Sequence, residues 1–494
     1  MPEAFFDIVI VGTNLPGLAY GALAAKRGYT VLVLGQDGRP ATYTHGNNNL
    51  YRQIPLFYGF DSSSAVRGFF RDIGLIAEMR NKPNKLDPHV QLITPGVRLD
   101  LGSRQGQLQE EFEREFPDGG DELRRFLTSI QQDAAGLDRL LCDLPMIPAQ
   151  GFFAKRRLKK YLSQDSTFED ATQPIMFPSE LRFASPLAAM VLFLSRLHAR
   201  PMPAVAVRRL IQHLLAGFYE FPQGIDGLKR LLTDRIIANG GAFWPERYVE
   251  QVVLRGKKVV EVSIQRPRRH AGVRLLVANS RVKPFFSLIP PEKQHAGYHT
   301  FIKSLQPAYY NYMVNFVVRT DLLPESMARN AIICLHPRQE TSGPNVLWVY
   351  TEKTEEKAPD DPTTLAVACR VPADELPLEG SGFDELNRRI LHSLEWALPF
   401  IREKLIEIYT PYVTVDRDTG TSRLDPGEVQ EVFADPAHES LELTSVPCQT
   451  AYKNLLVLGD HYLGALGLEG AVIAARQAYN WTCDNVVLKQ ILSK

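Results

Sequence analysis

The chain has 494 residues, 45% of them hydrophobic, and its 56 basic side chains are balanced by 56 acidic ones. That length supports two or more domains with sizeable cores, and a balanced charge excludes a global field directed at nucleic acid. Five cysteines, Cys142, Cys334, Cys369, Cys448 and Cys483, are scattered without a CxxC or Cys/His cluster, so neither a disulfide framework nor a metal site is expected.

The first element is the apolar run FFDIVIV, a strand that leads through GTNLPG (12–17) into the helix-like LAYGALAAKRG and a second strand, YTVLVL. It begins a few residues after Met1, which leaves no room for a signal peptide. This is the setting of a dinucleotide-binding turn, with Gly12 for the tight turn and Gly17 for close packing of helix on strand. The middle glycine is replaced by Asn14, the residue that best tolerates a glycine-like backbone but takes up space where a phosphate would sit. A site of this kind ends its second strand with Asp or Glu, which accepts hydrogen bonds from the adenosine ribose. Gly35 holds that position here, and Gln36 and Asp37 are the nearest substitutes; the alternative is that GQDGRP is simply a turn.

Short strand-like pieces around HVQLITPGVRLDL give way near Gln107 to helical spacing, and 107–220 reads as largely helical. Within it GFFAKRRLKKYL (151–162) joins two phenylalanines to five cations. It reads as a solvated helical face or as a peripheral membrane contact. SPLAAMVLFLSRL (185–197) falls short of the roughly 18 to 20 residues that span a bilayer, and suits a buried core helix. A helix from Ile225 to Ala238, a Gly240-Gly241 stop and paired strands follow. YMVNFVVRT, NVLWVY and TLAVACRV suggest an antiparallel sheet over 300–375, with a helix near 383–408. The chain closes with strand, Gly-rich loop and helix in NLLVLGDHYLGALGLEGAVIAARQAYNW.

This order of elements, with FPQGIDGLKRLL…NGGAFWPERYVEQVVL and GDHYLGALGLEGA, resembles the FAD-dependent family of carotenoid (phytoene) desaturases and isomerases, amine oxidases and Rab GDP-dissociation inhibitors. ITPGVRLDL followed by EEFEREFP is most similar to the desaturase branch. The resemblance implies an α/β fold: a Rossmann-type FAD-binding domain built from 1–106, 221–299 and 441–494. A helical substrate or membrane region (107–220) and a substrate domain with a mixed or antiparallel sheet (300–440) would interrupt it. It further implies that Gly12, Asn14 and Gly17 face the pyrophosphate and that the Val249 backbone contacts adenine. Gly459 and Asp460 would lie near the pyrophosphate and ribityl chain, and Gly467, Leu468, Glu469, Gly470 and Ala471 would open the final helix beneath the flavin ring.

Four departures stand out: Asn14, Gly35, the glycine-poor RPATYTHGNNNL after the second strand, and Glu469 where proline is common. A carboxylate beside the flavin N1 edge would oppose reduction. Without flavin, Glu469 is an ordinary first-turn acid, and Glu469→Gln is expected to cost about 0.3 to 1 kcal/mol.

Two readings follow. One is an FAD-dependent oxidoreductase or isomerase acting on a lipophilic, isoprenoid-like substrate by hydride transfer to flavin, with FAD weakly held. The other is a non-catalytic binding protein that has lost FAD, comparable to the Rab GDP-dissociation inhibitors. No catalytic acid or base can be named, although His461 follows the Gly459-Asp460 pair. The expected location is cytoplasmic, with membrane association through 151–162.

Overall fold

The computed structural model describes residues 4–486 apart from 37, 103–104, 118–119, 150, 164–183, 199–201, 266–268, 338, 340–342, 353–356, 377–379, 416–421, 425–428 and 435–442. Its fold is α/β, built on two sheets with different patterning.

The first sheet begins with the strand Ala4–Val11, which pairs in parallel with Val31–Leu34 on one side and Arg269–Ala278 on the other. Ala242–Trp244 extends it past Val31–Leu34, and Leu455–Val457 lies beside the far end of Arg269–Ala278. Strands buried on both faces read as continuous apolar runs, and alternate residues here serve different cores. Ile8, Ile10, Val31 and Val33 meet the helices Leu15–Arg27, Gly224–Ala238 and Gly467–Asn485. Val9, Val11, Leu32 and Leu34 meet the antiparallel pair Val249–Arg255 and Lys258–Ile264, with Phe285 and Phe286 behind.

The second sheet has nine strands, centred on Pro307–Arg319 paired antiparallel with Pro362–Pro372 over eleven residues. The hairpin formed by Val90–Thr94 and Val97–Leu101 belongs here, not to the nucleotide-fold sheet that its place in 1–106 suggests. It pairs through Leu92 with Ile332, and its Val90, Leu92 and Leu99 are buried in the same core as Trp348. The helix expected over 383–408 also divides. Gly380–Ala397 stops just before Pro399, which lacks the N–H a continuing helix needs, and Leu405–Tyr409 turns into a strand on Asn315–Val318.

The nine-stranded sheet is tied by a side chain to a separate two-stranded hairpin, Thr42–His45 with Asn48–Tyr51. Buried Asn315 accepts from the Tyr51 amide at 2.9 Å and donates to the Tyr51 carbonyl at 2.9 Å, an edge-to-edge amide clamp. Beside this junction lies the groove.

Candidate functional site

Two adjoining cavities, with empty volumes of about 1240 and 1540 Å³, share Asn14, Arg52, Arg196, Lys229 and Asp460 and form one groove. The outer cavity runs past Gly38 and Tyr248, and the inner one ends among Phe193, Met313, Trp348 and Leu468.

At the centre sits the glycine turn. Gly12 has φ 110°, and a Cβ there would lie 2.3 Å from the Asn279 carbonyl oxygen, so glycine is required. A Cβ on Gly17 would meet the Asn279 side chain at 2.1 Å. Asn279, which the sequence did not single out, ends the strand Arg269–Ala278 and stitches the turn together. It accepts from the Gly17 amide at 3.0 Å and donates to the Gly12 and Asn14 carbonyls at 3.1 and 2.8 Å. A helix N-terminus binds anions through its free amides. Here Pro16 has none, that of Gly17 is taken by Asn279, and that of Leu18 returns to Asn14 at 3.2 Å. Leu15 keeps the amide that remains.

The outer end is closed by close packing. A Cβ on Gly35 would lie 1.7 Å from the Pro245 carbonyl oxygen, and the Gly35 amide donates to Trp244 at 3.0 Å. Gly35 is therefore fixed by the crossing of 242–245, and no acidic side chain fits at that position. Gln36 turns to Val249 and accepts its amide through Oε1 at 2.8 Å, which occupies the backbone group expected to meet adenine. Asp37 lies outside the described residues.

At the other end, Gly459 packs under Ser280 and Asp460 pairs with Arg196 at 3.2 Å. Burial works against the Asp460 carboxylate, but Arg196, His461 and Lys229 outweigh it and hold its pKa below the ordinary value. Gly467, with φ 58°, leaves room for the Tyr58 hydroxyl, which a Cβ would approach to 2.1 Å. That hydroxyl accepts the Leu468 amide at 2.9 Å and donates to the Leu194 carbonyl at 3.1 Å. Leu468 and Ala471 line the inner cavity, while Gly470 packs against the Leu463 carbonyl.

Glu469 is not among the residues lining either cavity. It is wholly buried and bonded at 2.7 and 2.6 Å by Arg209 Nε and Nη2. His213 Nε2 stands 3.0 Å from Oε2, the oxygen that Arg209 Nε also meets, and the Ser63 hydroxyl donates to Oε1. Burial alone would raise its pKa, yet Arg209 and His213 hold the carboxylate well below its ordinary range. The expectation of a cheap Glu469→Gln change is thus corrected, because the side chain anchors the closing helix to Ala204–Ala216 through a desolvated ion pair. His213 in turn meets Ser62 Oγ at 2.6 Å, and burial, opposed by Glu469, keeps its pKa below the ordinary value.

His461 lines the outer cavity with Nδ1 unbonded, against the Phe433 ring at 4.5 Å. Burial pushes its pKa down to about 4, so it is neutral at pH 7. Asp226, without an evident partner in the sequence, accepts the Ala41 and Thr42 amides at 2.6 and 3.3 Å.

No family model and no curated protein matches the chain. Solved structures do. An oxidoreductase from Methanosarcina mazei is 15% identical over 96% of this chain and 100% of its own, with a TM-score of 0.57. Putrescine oxidase bound to putrescine is 14% identical over 97% and 99%, at 0.55. Cyclohexylamine oxidase from Brevibacterium oxydans is 15% identical over 97% and 99%, at 0.51. The chain has the fold of FAD-binding oxidoreductases. At these identities the likeness shows the fold alone, and the groove's own residues must decide what it holds.

Proposed function

We propose that this chain is a binding protein built on the flavin-oxidoreductase fold, whose groove holds an amphipathic, lipophilic ligand in place of FAD. The observation that carries this reading is the state of the recognition groups. The amides of Gly17, Val249 and Leu468 are each bonded to a side chain of the protein itself: Asn279, Gln36 and Tyr58. Gly35, pressed against Pro245, offers the ribose no carboxylate. A dinucleotide would have to break these bonds before forming its own, and a buried group left unpaired costs about 1–3 kcal/mol. What stays open suits another chemistry. Phe193, Met313, Trp348 and Leu468 offer an apolar wall, with Arg52, Arg196 and Lys229 at its polar side.

The second reading, an FAD-dependent oxidoreductase or isomerase of a lipophilic substrate, is favoured by the groove's course past Asn14, Gly459 and Asp460 to the closing helix. The two are separated by the visible spectrum of protein incubated with FAD and gel-filtered, together with a fluorescence titration by oleate. The binding-protein reading predicts colourless protein and saturable quenching by oleate. Stoichiometric yellow protein would establish the flavoprotein instead.

The helix Phe152–Ser163 supports a peripheral membrane contact. Phe152 and Phe153 are 73% and 83% exposed, and all five of its cations face solvent with no acidic residue among them. Leu158 and Tyr161 pack on the core, and the Tyr161 hydroxyl donates to the Leu140 carbonyl. The helix is thus held by one face and offers the other to an anionic surface. Among the described residues no helix is long and apolar enough to cross a membrane. Changing Lys155, Arg156, Arg157, Lys159 and Lys160 to Gln should abolish sedimentation with anionic vesicles at low salt; undiminished binding would return the helix to an ordinary solvated face.

A further inference from the structure

The helix Gly224–Ala238 carries one lysine, Lys229, into the groove. Ile225 and Lys229, one turn apart on the same face, both line the inner cavity, and Lys229 lines the outer one too. It is the one lysine among the described residues that line the groove. The other two cations shared by both cavities are already engaged. Arg52 lies over the Tyr43 ring at 4.2 Å and donates to the Pro40 carbonyl at 3.0 Å, and Arg196 pairs with Asp460 at 3.2 Å. Lys229 makes no ion pair or hydrogen bond among the described residues. Asp226, three residues before it on the helix, gives its carboxylate to the Ala41 and Thr42 amides. Asp226 and Asp460 therefore act on the amine only through their field. Burial lowers the Lys229 pKa by more than that field raises it, and Arg196 adds to the lowering.

An amine held in this way is suited to nucleophilic addition. A desolvated lysine keeps more of its neutral form, and neutral Nζ is the species that adds to a carbonyl carbon. The surroundings say which carbonyl compound fits. Phe193, Met313, Trp348 and Leu468 wall the same cavity with apolar surface, enough for a hydrocarbon chain. Arg196 and Asp460 already match each other in charge, so an uncharged polar head is received there without breaking a pair.

We propose that Lys229 is a conjugation site, where Nζ forms an imine with the carbonyl carbon of a long-chain aldehyde whose hydrocarbon body lies along Met313, Trp348 and Leu468. Neutral Nζ adds to the carbonyl carbon, a C=N bond replaces C=O, and the carbonyl oxygen leaves as water with the two amine hydrogens. The step consumes no oxidant or reductant. Uptake of one proton from solvent gives an iminium, on which Asp226 and Asp460 exert the same field that they exert on the ammonium. Exclusion of water by the apolar wall slows hydrolysis of the product. The inference rests on the reading of the groove as a lipophilic ligand site and adds a covalent attachment point to it.

The test treats the full chain with dodecanal and sodium cyanoborohydride, which fixes an imine as a stable secondary amine, and maps the alkylated lysines by mass spectrometry. Lys229 should be modified about tenfold faster than any other lysine, or more, because binding holds the carbonyl against the amine. Dodecanol, which cannot conjugate, should slow labelling of Lys229 and leave the other lysines unaffected. Propanal, without the hydrocarbon body, should show no preference for Lys229. Lys229→Met keeps the aliphatic stem, so dodecanol should still quench its tryptophan fluorescence while the preferred label is lost. Saturable dodecanol binding with dodecyl groups spread evenly over the lysines overturns conjugation and leaves the lipophilic site standing. No dodecanol binding and no preferred label overturns both. Propanal labelling as selective for Lys229 as dodecanal labelling shows an amine reactive on its own, and the long-chain aldehyde is wrong.

Discussion

The two ends of the groove differ in what satisfies their polar groups. At the outer end Gln36 answers Val249, Pro245 covers Gly35, and Asn279 answers the glycine turn, so the protein is its own ligand. At the inner end Asn311 keeps a buried polar atom with no protein partner among the described residues, and so, nearer the centre, do Ser280 and His461 of the outer cavity. Native proteins satisfy nearly all such groups, so the exceptions that line the groove are the ones a bound ligand would answer. The contrast shows how one scaffold can keep the packing of a cofactor fold while the chemistry of its site changes. Glycines at 12, 17 and 35 are demanded by close approach of the chain to itself, and their presence is no evidence of a nucleotide.

The scaffold around the inner end should be the more fragile part. Glu469→Gln leaves Arg209 with Asp138 but breaks a wholly buried ion pair, and should cost about 3 kcal/mol in urea unfolding. A loss under 1 kcal/mol would return Glu469 to the role of a simple first-turn acid.

Acid should act through the buried histidines. In the native state burial pushes His89 and His461 down to about 4, whereas an unfolded histidine titrates near 6.5. Between these values the unfolded chain binds more protons, so stability falls as pH drops, by about 1.4 kcal/mol per pH unit for each histidine. His461→Gln should flatten the slope by that amount, and an unchanged slope would show that His461 is already protonated or solvated in the native protein.

Much of the fold was legible because it is written in local pattern. Strands buried on both faces read as unbroken apolar runs, and Gly28 and Gly240 punctuate helices where the backbone takes positive φ. Asn14, Asp460, Leu468 and Ala471 lie along one groove, and the turn and closing loop that carry them are recognisable by their order in the chain. What could not be read is pairing across the chain. Glu469 meets Arg209 across 260 residues, and Asn279 meets Gly17 across 262.

At the closed end, restoring an acid as Gly35→Glu should destabilise by about 1–3 kcal/mol through collision with Pro245, and should not create FAD affinity. Gln36→Ala is the gentler probe. It frees the Val249 amide, should cost about 1 kcal/mol, and should raise affinity for ADP if the amide alone was limiting; unchanged affinity would locate the block at Gly35 and Asn279.

The central claim, that the groove holds an amphipathic ligand and not FAD, is tested most directly by thermal unfolding of the purified chain alone, with FAD, and with oleate below its micellar concentration. A ligand that binds only the native state stabilises it by about 2.7 kcal/mol at 100 times its Kd. The account predicts a clear rise in melting temperature with oleate and none with FAD; a rise with FAD that matches or exceeds the oleate shift would contradict it.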